Sequence, residues 1–135
     1  MSDTEDVLAA AAAVVHAFGS GDLENYFAAF ADDATFIFHT TDRVLTSVAE
    51  YRSEWEAWQR DDDFRVVSCA STEQRVQLFG DVAVFTHRVR TLTSTKAGEA
   101  ESAERETIVF HRTLGTRWAG VHEHLSVDPG HTQSR

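Results

Sequence analysis

Two glutamates and three histidines are concentrated in one short segment near the C-terminal end of the chain: Glu106, His111, His122, Glu123 and His124. The residues around them are mostly β-branched or aromatic, with a break rich in Gly and Thr, which is typical of a β-hairpin. A carboxylate is costly to bury without a partner, so titratable groups in strands indicate a lined pocket or a polar interface. The segment therefore predicts a protein with a pocket and leaves the occupant open.

Three helices are predicted ahead of the sheet that would position these groups. Ser2 begins the first helix and Gly21 ends it, Asp22 caps a short second helix, and Ser47 caps a third. The third helix carries Tyr51, Trp55 and Trp58 on one stripe, a spacing that indicates a core face first and a ligand-stacking wall second.

Strands account for most of the remaining chain. We expect Asp32 and Asp33 to close the second helix, and a first strand over 34–39. Longer strands follow over 64–78, bulged near Ser68 and Cys69, and over 82–95. The hairpin completes the sheet with strands over 106–111 and 118–127, joined by a turn at 113–116. The predicted class is α+β: three N-terminal helices pack on one face of a strongly curved antiparallel sheet, forming a cone with an open cavity. Residues 1–128 are expected to form one domain, and 129–135 a flexible tail.

Charge and composition argue against several classes of function. The 135-residue chain has a formal net charge of −10, from 22 acidic and 12 basic residues. It therefore lacks the basic surface that nucleic acid or an anionic membrane requires. The single cysteine, Cys69, cannot form an internal disulfide, so we expect a cytoplasmic protein and interpret this thiol as a small buried apolar group rather than a nucleophile.

Two sets of residues resemble the nuclear transport factor 2-like superfamily and together cover nearly the whole chain. The N-terminal set is similar to the start of ketosteroid isomerase, and the C-terminal set to the SnoaL-like group and to the association domain of calcium/calmodulin-dependent kinase. The motifs are Gly21-Asp-Leu23, Phe30-Ala-Asp-Asp-Ala-Thr35, Glu106-Thr-x-Val-x-His-Arg112, Gly115, Trp118 and Val121-His-x-His124-x-Ser126. The resemblance implies the cone fold. It leaves the activity open, because the superfamily includes isomerases, dehydratases, cyclases, hydrolases and non-catalytic scaffolds.

The resemblance to ketosteroid isomerase does not extend to its catalytic groups. The position of its general base falls at Phe38, and the position of its oxyanion-binding tyrosine falls at Val14. A phenylalanine cannot take a proton and a valine cannot donate one, so the machinery of steroid isomerisation is absent at the matching positions.

Strand alternation, combined with the resemblance, predicts which side chains enter the cavity. Glu123 falls on the inward face of the last strand, although a bulge would reverse that face. Glu106 would point inward from the preceding strand, and Arg88 and Arg90 from the strand before that, with Arg90 at the position of a pocket arginine in the association domain. Apolar walls would come from Phe36, Phe38, Trp55, Trp58 and Phe110, and Tyr26 would reach the mouth.

This set of residues predicts proton-transfer chemistry on a small molecule. Arg90 would bind a carboxylate, enolate or phenolate oxygen, and Glu106 or Glu123, with a pKa raised by burial, would move a proton. The combination suits isomerisation, dehydration or aldol-type cyclisation without a cofactor. The alternative is a structural arginine–glutamate pair in which the charges satisfy one another.

The histidines offer a second, polar site. His122 and His124 share one strand face, with His87 and His111 as possible neighbours, and three histidines with a carboxylate could hold Zn²⁺ or Fe²⁺. No third ligand is fixed by spacing, so we predict no metal and interpret this face as a dimer interface. His39, at the end of the first strand, is an acid–base candidate or simply an exposed histidine.

The sequence therefore predicts a SnoaL-like, cofactor-free enzyme acting on a carbonyl-bearing hydrophobic substrate, assembled as a homodimer. The alternative is a non-catalytic ligand-binding or oligomerisation domain. The two differ in their response to mutation. An enzyme would lose turnover in Glu106→Gln or Glu123→Gln, whereas a scaffold would lose assembly when outer-face residues such as His122 are changed.

Overall fold

The computed structural model describes residues 2–113, 115 and 117–130. The elements, in chain order, are α1 (Asp3–Ser20), α2 (Leu23–Ala28), β1 (Phe30–Phe38), α3 (Val48–Asp62), β2 (Arg65–Phe79), β3 (Val82–Thr95), β4 (Gly98–Arg112) and β5 (Trp118–Val127).

The predicted starts of the three helices and the predicted end of α1 are confirmed by their capping groups. Ser2 accepts from the backbone N–H of Glu5, whose side chain in turn accepts from Ser2, so the two orphan donors at the start of α1 are satisfied reciprocally. Gly21 ends α1 at a φ of 74°, a left-handed conformation that glycine adopts without steric cost. Asp22 and Ser47 cap α2 and α3 through their side-chain oxygens.

The strands form one five-stranded sheet in the order β1-β5-β4-β3-β2. The four long strands are antiparallel neighbours, as predicted, whereas β1 pairs in parallel with β5, so the sheet is mixed. The helices pack on one face of this curved sheet, with α1 over β2 and α3 over β1. The α+β cone predicted from the sequence is therefore the observed fold.

The first strand begins earlier than predicted. β1 starts at Phe30, which is buried, and includes the exposed Asp32 and Asp33, which were expected to close α2. These two aspartates lie where the pairing of β1 with β5 is interrupted between Phe30 and Thr35. A strand can carry consecutive polar residues at such an irregularity, because neither has to fit the alternating pattern.

Two irregularities bend β2. The predicted bulge near Ser68 is present as a register shift between Val66 and Ser68. A second shift lies between Thr72 and Arg75, where Glu73 has a left-handed φ of 53°. Nothing in the local sequence marks this second bulge, since glutamate is an uncommon residue at positive φ.

A bulge in β5 changes which side chains face the core. The register with β4 shifts between Val109 and Phe110, opposite Val121. Trp118 was predicted on the outer face with His122, yet it is only 6% exposed and belongs to the core. Beyond the bulge Glu123 is buried, as predicted, because the extra residue reverses the alternation.

Two predictions fall partly outside the described residues. The hairpin turn at 113–116 includes 114 and 116, and the tail includes 131–135. None of the described helices is long and apolar enough to cross a membrane.

Candidate functional site

A cavity of about 300 Å³ lies between the helices and the inner face of the sheet. Its volume is at the lower end of the range for small-molecule sites. The walls are mostly aromatic and aliphatic, and the rim is more polar. The lining residues are Val14, Phe18, Tyr26, Phe38, His39, Thr40, Tyr51, Trp55, Trp58, Phe64, Cys69, Val89, Thr91, Thr93, Ser102, Glu104, Glu106, Glu123 and Leu125. These described lining residues include neither lysine nor arginine, so the cavity suits a neutral, largely apolar occupant.

Two carboxyl groups reach this cavity from adjacent strands. Glu106 on β4 lies opposite Leu125 of β5, and Glu123 on β5 lies opposite Ile108 of β4. The two glutamates are therefore diagonal neighbours on the inner face, within reach of one another. Glu123 is 3% exposed and Glu106 is 8% exposed, so little water screens either group.

A hydrogen bond between the two carboxyl groups contributes to the pKa shifts of both, and such a bond requires at least one proton on the pair. Burial raises the pKa of Glu123 well above its ordinary value, and the neighbouring Glu106 raises it further. Burial also raises the pKa of Glu106, while the hydrogen bond from Glu123 opposes that shift. Two like charges this close in a dry site cannot both form at neutral pH. We therefore assign the proton to Glu123 and the acceptor role to Glu106.

Two tyrosine hydroxyls extend this polar group toward the helices. Tyr26 on α2 donates to Oε1 of Glu123 over 3.2 Å, and its hydroxyl lies 2.8 Å from that of Tyr51 on α3. Burial raises the pKa values of both phenols well above the ordinary value of tyrosine. Both hydroxyls therefore remain neutral hydrogen-bond donors. Tyr26 was predicted at the mouth. It is instead only 1% exposed, beside the carboxyl pair deep in the cavity.

A buried histidine completes the row on the other side. His87 on β3 lies directly opposite Glu106, and its Nε2 is 2.6 Å from Oε1 of that glutamate. Its Nδ1 is 2.6 Å from Oγ of Ser71 on β2. Sequence reasoning missed the roles of Ser71 and His87. The signal was present, because the alternate residues Ala83, Phe85, His87 and Val89 form the more apolar face of β3.

The predicted arginines do not enter the cavity, and this part of the prediction is wrong. The Arg88 side chain is 43% exposed and pairs with Asp128 and Glu73. The Arg90 side chain is 55% exposed, with Nη1 3.7 Å from Glu101. The resemblance had set the phase of β3 off by one residue, which turns every side chain to the opposite face. The alternative of a structural arginine–glutamate pair inside the cavity fails for the same reason.

The predicted aromatic walls are partly correct. Phe38, Trp55 and Trp58 line the cavity, whereas Phe36 and Phe110 are fully buried in the core and are not among its lining residues. Cys69 also lines the cavity. Burial raises the pKa of its thiol to about 11, so it remains a neutral thiol near pH 7.

The histidines are divided between the rim, the core and the outer face. His39 lies at the rim, with Nε2 2.5 Å from Glu104. His122 bonds to Thr35 and lies beside His124, whereas His87 is buried. Within the described residues no three His, Cys, Asp or Glu side chains form a group that could hold a metal ion.

Comparison with known proteins identifies the family. A model of the SnoaL-like domain matches residues 7–129. No curated protein resembles the chain closely enough in sequence to count as a relative.

Solved structures show the same fold at low identity. An NTF2-like protein from Cytophaga hutchinsonii is 12% identical, with a TM-score of 0.79 over 95% of this chain and 100% of that one. A protein from Catenulispora acidiphila in complex with S-DNPA is 16% identical, with a TM-score of 0.76 over 93% of this chain and 92% of that one. The CaMKII hub of S. rosetta is 20% identical, with a TM-score of 0.74 over 92% and 95%. The cone fold and the match over nearly the whole length lead to one conclusion: the chain belongs to the SnoaL-like family.

Proposed function

We propose that the protein binds a small, neutral, largely apolar ketone in the cavity and moves a proton at the carbon next to its carbonyl group. The observation that carries this proposal is the buried Glu106–Glu123 pair, which combines a proton donor and a proton acceptor in one apolar cavity. General acid–base catalysis needs both functions within hydrogen-bond reach of the substrate.

The proposed step uses the proton distribution within the pair. Glu106 takes the α-proton of the ketone, the C–H bond breaks, and its electrons form the enolate. Glu123 donates its proton toward the developing oxyanion. The Tyr26 hydroxyl donates a hydrogen bond to Glu123 and stabilises the negative charge that Glu123 acquires. Return of the proton to a different carbon gives isomerisation. Where the ketone carries a β-hydroxyl group, its C–O bond breaks as the hydroxyl takes the proton from Glu106, and water leaves, which is dehydration.

Ligand binding in this fold has independent support. The structural neighbour from Catenulispora acidiphila was solved in complex with S-DNPA. The absence of lysine and arginine among the described lining residues favours a ketone over a carboxylic acid. It also removes the contact with a carboxylate, enolate or phenolate oxygen that was expected from Arg90.

Exchange of α-protons in deuterated water tests the proposal with a simple model ketone in place of the natural substrate. The probe is 2-tetralone, a compact bicyclic ketone, with deuterium incorporation followed by NMR. We expect the protein to accelerate exchange, and Glu106→Gln to reduce that acceleration by about 10²-fold or more, the usual worth of a positioned general base. Glu123→Gln should also slow exchange, because the amide donates more weakly than a carboxylic acid.

Glu101→Gln supplies the matched control, since Glu101 lies on the same strand but is exposed and pairs with Arg90. Its exchange rate should equal that of the unmodified protein. Saturable binding of the ketone without any acceleration would overturn the catalytic proposal, as would an unchanged rate in Glu106→Gln.

The second candidate function is non-catalytic: the outer face of the sheet would serve as an interface for self-association. Val84 of β3, Val109 of β4 and His122 of β5 are neighbours there in the strand register. No described helix packs over this face, and the fold is shared with a CaMKII hub. We propose that two copies associate through this surface, either in addition to the ketone chemistry or in its place.

A further inference from the structure

One continuous row of hydrogen-bonded side chains crosses the inner face of the sheet. From the carboxyl pair it passes through His87 to Ser71, covering β5, β4, β3 and β2 in order. Ser71 in turn accepts from Nε2 of Gln74 over 2.9 Å. The row ends on β2, which is an edge strand of the sheet.

The inner members of this row are buried, and the members at the sheet edge are more exposed. Glu106 is 8% exposed and His87 3%, whereas Ser71 is half-buried and Gln74 is exposed. The β2 bulge lies here, with Glu73 in the left-handed region and Gln74 turned back onto Ser71. The carboxyl pair is therefore connected to the surface by a second route, separate from the cavity mouth beside His39 and Thr40.

We propose that Ser71 and His87 form a proton relay that joins the buried Glu106–Glu123 pair to solvent at the β2 bulge, a role that rests on the proton transfer proposed above. A ligand seated in the cavity would cover the mouth and cut the pair off from water on that side. The relay would keep the pair in protonic contact with solvent while the cavity is occupied. Ser71 and His87 are thus positioning residues and do not touch the ligand.

Each bond in the relay can carry the proton in turn. Solvent protonates Oγ of Ser71 as the Ser71 hydroxyl proton moves to Nδ1 of His87, and the Nε2 proton of His87 moves to Oε1 of Glu106. One proton enters at the surface and one arrives at the carboxyl pair, while the imidazole changes from one neutral tautomer to the other. The reverse sequence exports a proton and restores the starting tautomer.

A relay of this kind requires a neutral imidazole. Burial lowers the pKa of His87 to about 4, although the Glu123 carboxyl opposes that shift. A neutral ring has one donor and one acceptor nitrogen, and His87 has partners for both. A permanently charged imidazolium would instead form a static ion pair with Glu106.

NMR of the imidazole group tests the relay in the protein alone. The probe is bulk water, and the measured quantity is the rate at which the His87 ring proton exchanges with it. Ser71→Val and Ser71→Thr are a matched pair of nearly equal shape that differ in the hydroxyl. We expect Ser71→Val to slow exchange by about tenfold or more, and Ser71→Thr to keep the rate of the unmodified protein.

The same spectra give a readout that needs no variant, since ¹⁵N shifts distinguish neutral from charged imidazole. A doubly protonated His87 at neutral pH would overturn the relay, and so would equal exchange in Ser71→Val and Ser71→Thr. Because no substrate is present, failure of the ketone assay and failure of the relay are separate results. Normal relay exchange in a protein inactive on ketones would refute only the proposed activity.

Discussion

At the residue scale, the proposed chemistry depends on where one proton is held. Glu106 and Glu123 lie in the same dry cavity and share a hydrogen bond, while Tyr26 donates to the pair from one side and His87 contacts it from the other. Every polar member of the row has a partner, so it can remain in an apolar core without a large desolvation penalty. The same arrangement would serve catalysis, because the pair can both give and take a proton.

Glu123→Gln should change how stability depends on pH. The folded protein keeps the Glu123 proton, whereas the unfolded chain releases it above the ordinary pKa of 4.5. Raising the pH past that value therefore favours the unfolded state of the unmodified protein, by up to about 1.4 kcal/mol per pH unit. The glutamine variant does not undergo this destabilisation, so its stability relative to the unmodified protein should increase as the pH rises above about 5.

Urea denaturation at several pH values measures this difference. Glu101→Gln is again the control, since an exposed glutamate should give a difference that hardly changes with pH. Parallel curves for Glu123→Gln and the unmodified protein would mean that Glu123 is ionised in the folded state.

Sequence reasoning identified these two glutamates but not their partners. A carboxylate among β-branched and aromatic residues is a strong signal, because burial requires a partner. Which residue becomes that partner depends on which side chains of the neighbouring strand face inward. The resemblance placed Arg88 and Arg90 inward, whereas burial of Phe85 and His87 sets the opposite phase. Weighing the cost of burying two arginines on one face would have favoured the observed arrangement.

At the scale of elements, the irregularities in the strands position the site. The extra residue Val121 in β5 places both Trp118 and Glu123 on the inner face. The bulge in β2 brings Gln74 onto Ser71. The starts of the helices were predictable because capping residues mark them directly, whereas the end of α2, which lacks such a residue, was not. Bulges were predicted less well, since they follow from the pairing of distant strands and leave little local signal.

Gly120 shows how closely β1 and β5 approach. A Cβ atom at this position would lie 2.5 Å from Cδ1 of Phe30, which is buried in the core. We expect Gly120→Ala to lower the free energy of unfolding by about 1–3 kcal/mol, the usual range for overpacking. Thermal or urea denaturation provides the measurement.

The cause of that loss can be tested by shortening the opposing side chain. Phe30→Leu should make room for the new methyl group, so the double variant should be more stable than the sum of the single effects predicts, by about 0.5 kcal/mol or more. Strict additivity would show that Gly120 is required for some reason other than its contact with Phe30.

At the scale of the whole molecule, the sheet separates two surfaces of different composition. The inner face and helices enclose the cavity, while the outer face presents Val84, Val109 and the histidine pair. Resemblance and patterning predicted this architecture well, because the helix and strand periods and the family motifs all agree on one fold. They did not determine the occupant of either surface, since one fold supports many functions.

Light scattering coupled to size exclusion tests the proposed association. We expect the unmodified protein to have about twice the 15.0 kDa mass of one chain, and Val109→Glu to give the mass of a single chain, because a buried unpaired charge opposes association. The control is Val44→Glu, the same substitution at an exposed site outside the sheet. A single-chain mass for the unmodified protein, or an unchanged mass in Val109→Glu, would exclude the outer face as an interface.

We expect Glu106 and Glu123 to hold one proton between them at neutral pH, and infrared spectroscopy detects that proton. A protonated carboxyl group absorbs separately from a carboxylate, so difference spectra between the unmodified protein and Glu123→Gln at neutral pH isolate this group. The unmodified protein should show a carboxylic acid band that disappears in Glu123→Gln and persists in Glu101→Gln. A spectrum in which both glutamates are fully ionised at neutral pH would contradict it.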